Sequence, residues 1–126
     1  MSNVFSLGQR VVFVFGYCMG VPNYDEGVVT KVVDAEWITV ECGNPDVQSR
    51  IPLNRGGFHY SVTVPVCRIL KPDDEQRVID AWYHFFRSDT PVEKRVDSEE
   101  ILLRTASSYP YGDGRSAIKD YMVHLE

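Results

Sequence analysis

The chain has 126 residues, 44% hydrophobic and 25% charged, and a formal net charge of −5. That length and balance fit one globular domain with one substantial core, and they exclude a disordered chain. The net acidity disfavours general nucleic-acid binding, which works by neutralising phosphates. No apolar run approaches the roughly 20 residues of a membrane-spanning helix.

Residues 1–10 lack the charged-then-apolar order of a secretion signal, which predicts a cytoplasmic protein. Three cysteines, Cys18, Cys42 and Cys67, fit reduced thiols better than a disulfide framework.

The predicted elements begin with a strand over Arg10–Phe15, β-branched and aromatic throughout, so a central or doubly covered strand. Gly16–Asp25, with two Gly and one Pro, reads as a loop. Gly27–Val33 is a second strand. Glu36–Cys42 is a third, with Ile38, Val40 and Cys42 alternating against Trp37, Thr39 and Glu41. Turns are expected at Gly43–Asp46 and Asn54–Gly57, with strands at Val47–Leu53, Phe58–Val64 and Val66–Leu70. Five or six short strands in this space predict a small antiparallel barrel or a strongly bent sheet.

The pattern changes at Lys71-Pro72, and most of the net acidity lies beyond it. Asp73 and Gln76 have the spacing of a capping box, and Val78, Ile79, Trp82, Phe85 and Phe86 follow on one helical stripe. This predicts a helix over 73–87, docked by Trp82 and Phe86. Asp97 and Glu100 repeat the capping spacing, with Val96 placed to staple onto Ile101, and predict a helix to about Ser107. Tyr109–Gly114 breaks it. Ile118, Met122 and Leu125 suit a further helix, and Tyr121–Val123 suits a strand equally well. The expected class is therefore α+β: a barrel over 1–72 and a two- to three-helix extension over 73–126, packed as one unit.

Leu7-Gly8-Gln9-Arg10-Val11, followed by Glu26-Gly27-Val28-Val29-Thr30-Lys31-Val32, resembles the opening of the SH3-like small barrels of the KOW, Tudor and CAP-Gly type. Val66–Pro72 is similar to the last strand of such barrels. The resemblance covers residues 7–72 and implies binding rather than catalysis, with peptides, modified side chains, RNA or RNA polymerase as targets. It also implies a ligand groove bordered by the loop after the first strand.

Chemical signatures are sparse. His59, His84 and His124 have no His or Cys at i+2 to i+4, so no metal site and no cofactor is expected. Asp73-Asp74 and Glu99-Glu100 are explained by helix starts, and Gly112-Asp113-Gly114 lacks the Lys and Ser or Thr of a phosphate loop. No catalytic residue is assigned, and an enzyme is not expected.

The aromatic residues point instead to a binding surface. Tyr17, Met19 and Tyr24 fall in the expected loop, Trp37 lies opposite the apolar face of its strand, and Arg55 sits in the nearby turn. Together they predict a partner-binding surface for another protein. A rival reading is a KOW-like nucleic-acid-associated module using Arg50, Arg55 and Arg68. A third is an enzyme whose site is assembled across the fold. A small, acidic, motif-free chain is also of the type found among phage and mobile-element accessory proteins that bind and block a host factor.

Overall fold

A computed structural model describes residues 4–18, 21–51, 59–109 and 119–124; at 17, 18, 21 and 119–124 the description is of the backbone. The protein is α+β. Four antiparallel strands, β1 (Arg10–Cys18), β2 (Val21–Val32), β3 (Trp37–Cys42) and β4 (Tyr60–Pro65), form a meander. Two helices follow, α1 (Pro72–Phe86) and α2 (Val92–Ser107). A last strand, β5 (Lys119–His124), returns to pair with the outer edge of β4.

Where the sequence suggests a ten-residue loop over 16–25, the ladder of β1 and β2 continues. Gly16 pairs with Asn23, Tyr17 with Pro22 and Cys18 with Val21. The register shifts between Val14 and Gly16, so Gly16 adjoins an irregularity of the β-bulge kind rather than a loop. The expected strand Val47–Leu53 is also absent over its described part. Residues 43–51 form an irregular segment, opened by an Asn44 turn whose side-chain oxygen accepts the Asp46 N–H at 2.8 Å. The expected turn at 54–57 lies outside the described residues.

After β4 the chain makes a 3-10 turn over Val66–Arg68 instead of the expected strand. It then meets β1 again: Phe13 bridges to Ile69, and Leu70 N–H donates to the Val12 carbonyl at 2.9 Å. The sheet itself remains open, in the order β1-β2-β3-β4-β5.

β1 is covered on both faces, as its sequence requires. Val11 and Phe13 face a core inside the sheet with Val29, Ile38, Val40, Val62 and Val64. Val12 and Val14 face a second core, shared with Tyr24, Ile51, Val78, Trp82 and Leu102. That second core binds sheet to helices.

Both helix starts differ from expectation. Lys71 caps α1 without a side-chain hydrogen bond, and Pro72 opens the helix. Proline suits a first-turn position, whose N–H has no helical partner in any case. Asp73, Asp74 and Glu75 do occupy the first turn, where their charge opposes the helix dipole. α2 begins six residues, more than a turn and a half, earlier than the Asp97–Glu100 spacing implies, directly after Pro91. The tail resolves to a strand and not a third helix.

Candidate protein interface

The residues expected to form a loop surface do not come together as one. Tyr24 is a core residue, 1% exposed, with its hydroxyl donating to the Leu102 carbonyl at 2.7 Å. Because β2 starts at Val21, Tyr24 falls on a strand position that faces the helices. Trp37 begins β3, half-buried, opposite Pro65. Tyr17 lies on β1 in register with Pro22. Met19 and Arg55 lie outside the described residues.

The residues of the nucleic-acid reading also have structural uses. Arg68 is buried and donates to the Val14 carbonyl at 3.0 Å. The Arg50 Nε donates to Glu26, and its Nη1 to Glu75 at 3.0 Å. Arg50 thereby ties the irregular 43–51 segment to both β2 and α1.

A cavity of about 210 Å³ lies between β2, β3 and the 43–51 segment, lined by Val28, Pro45 and Val47 together with Arg10, Glu26 and Glu41 among others. Its carboxylates are engaged internally. Glu26 accepts from Ser49 at 3.2 Å and from the Arg50 N–H at 2.8 Å. Glu41 contacts Asn44 and His59, each at 3.1 Å, and these two hydrogen bonds hold its carboxyl below the usual range. Inside the sheet, Tyr60 donates to the buried Asp25. Burial first, then the neighbouring Cys42 and Asp25, push its hydroxyl well above the ordinary tyrosine value. These groups tie the strands together. Cys42 is buried and Cys67 exposed. Among the described residues no three His, Cys, Asp or Glu side chains gather as a metal site would need, and no helix is long and apolar enough to cross a membrane.

The helical hairpin presents the most distinctive surface. α1 buries Val78, Ala81 and Trp82, yet leaves Tyr83 46% and Phe86 48% exposed. The Phe86 ring lies against Trp82, centroids 5.0 Å apart, so the expected docking pair is one buried residue and one half-open one. Tyr83 carries the Arg87 guanidinium over its ring at 5.1 Å. α2 buries Ser98, Leu102, Thr105 and Ala106. On another face it leaves Val92 70%, Val96 57% and Leu103 38% exposed. At 100° per residue, positions 92, 96 and 103 fall within about 40° of one another, forming a single stripe.

These residues are missing from the sequence-based surface. Their signal was present in the i, i+4, i+11 spacing, but a helix begun at Val96 leaves Val92 outside it.

The chain has no significant match among protein-family models, curated proteins or solved structures.

Proposed function

We propose that this protein is a non-enzymatic protein-binding module whose contact surface is the helical hairpin. The supporting observation is the exposure of Tyr83, Phe86, Val92, Val96 and Leu103 on two consecutive helices. Large apolar side chains held open on a rigid scaffold favour a protein contact. The sheet serves as the support, anchored to α1 through Tyr24, Trp82 and Arg50. An SH3-like barrel is the finer reading of that sheet. The 3-10 turn after β4 and the Phe13–Ile69 bridge back to β1 support it.

Affinity capture from a lysate with mass spectrometry, run with and without nuclease, tests the function. Retention of a defined protein in both conditions is expected. Retention that disappears with nuclease returns the protein to the nucleic-acid reading.

A further inference from the structure

The Val92–Val96–Leu103 stripe on α2 has an acidic border, and the geometry points to its occupant: a basic amphipathic helix of a partner protein. This inference rests on the protein-binding reading above.

Along α2, Glu93, Asp97 and Glu100 are exposed and follow the stripe on one side together with Arg104, and half-buried Glu99 lies at its other edge. Among the described residues only Glu100 on that border is paired with a basic residue, so Glu93 and Asp97 carry its charge. Arg95 turns its Nη2 to the carbonyls of Arg87, Ser88 and Thr90, at 3.2, 3.3 and 3.2 Å. Arg104 pairs with Glu100. The stripe runs from Val92 to Leu103, eleven steps along the helix or about 16 Å at 1.5 Å per residue, the length of three turns of a facing helix. An apolar seam with Lys or Arg on its flanks matches both features. A second copy of this chain fits less well, because a two-fold contact sets the same carboxylates against each other. The net charge of −5 equally opposes an anionic lipid surface.

The test uses the full chain and two amphipathic peptides about four turns long, with identical Leu seams and either Lys or Glu on the flanks. The Lys peptide should bind, with affinity falling as salt rises. The double substitution Val96→Ser with Leu103→Ser should weaken it roughly tenfold or more, and the melting temperature should fall only slightly, because Val96 is 57% and Leu103 38% exposed. Glu93→Gln with Asp97→Gln should flatten the salt dependence. Equal binding of the Glu peptide overturns the proposal, as does Lys-peptide binding that ignores the serine substitutions. A wild-type dimer that those substitutions dissociate also overturns it, giving the stripe to self-association. A large loss of melting temperature assigns the stripe to internal packing and overturns it too. A protein captured from lysate equally by parent and serine variant sinks the docking face while sparing the protein-binding reading; capture of no protein sinks that reading itself.

Discussion

Tyr24 and Trp82 meet edge to face across the seam between sheet and helices, with ring centroids 5.3 Å apart and planes at 85°. Tyr24 belongs to β2 and Trp82 to α1, so this contact joins the two halves of the fold. The Tyr24 hydroxyl then continues to the Leu102 carbonyl on α2. One aromatic pair thus links three elements. Trp82→Ala should cost roughly 3–5 kcal/mol of unfolding free energy, the range for emptying a buried large aromatic site. Tyr24→Phe keeps the ring contact and should cost about 1 kcal/mol for the lost hydrogen bond. Urea denaturation of both variants measures the difference. A Trp82→Ala protein as stable as its parent would disprove the seam's role.

Gly27 pairs with Cys42 where β2 leaves no room for a side chain against β3. A Cβ built there lies 2.3 Å from Val40 Cγ1, 2.6 Å from the Glu41 carbonyl oxygen and 2.8 Å from Cys42 Sγ. The Glu41 oxygen is backbone and cannot rotate aside. Gly27→Ala should therefore destabilise by roughly 1–3 kcal/mol through overpacking, despite alanine's better fit to an extended backbone. Thermal melting checks this, and an unchanged melting temperature shows that β3 can move away at little cost.

The contrast between Gly27 and Gly16 shows what the sequence could convey. β3 was legible because strict alternation has one simple cause, a sheet with a buried face. α1 was legible because its apolar residues recur with helical period. Gly16 and Pro22 carry loop composition, yet cross-strand pairing overrides it and lengthens both strands. Ser49 and Ile51 alternate as a strand does, but they serve unrelated ends: Ser49 reaches Glu26, and Ile51 enters the helix-side core. The α2 stripe stayed hidden for a related reason. Val96 fits a hydrophobic staple in a helix that starts there, whereas Pro91 starts the helix earlier and turns Val96 into a mid-helix surface residue.

The turn between the helices depends on Arg95. Its Nη2 lies within 3.3 Å of three loop carbonyls, Arg87, Ser88 and Thr90, that no helical N–H reaches. Arg95→Met preserves the aliphatic stem and removes those donors. A loss of about 1–3 kcal/mol is expected, together with faster amide exchange over 87–95. Lysine should rescue only in part, because a single ammonium lacks the planar reach of guanidinium. Full rescue by lysine, or exchange rates unaltered in the methionine variant, contradicts this account.

Tyr109 makes a different closure, from the end of α2 to the start of α1. Its hydroxyl donates to Asp74 Oδ2 at 2.6 Å and accepts the Lys71 N–H at 2.8 Å. Burial first, and then the hydrogen bond to Asp74, push the hydroxyl up to about 12. An unfolded tyrosine titrates near 10. The native state therefore keeps its proton where the unfolded state has already lost it. The stabilisation is complete below about pH 10 and declines as pH rises through about 12, because in that window the native chain binds more protons than the unfolded one. Tyr60, raised further still, adds to the same decline. Tyr109→Phe should lower stability at neutral pH by about 1–2 kcal/mol. It should also make the fall between pH 10 and 12 shallower than in the parent, since the hydroxyl at position 109 no longer titrates. Stability curves for parent and variant that run parallel through that window would show that Tyr109 ionises in the folded protein as freely as in the unfolded chain.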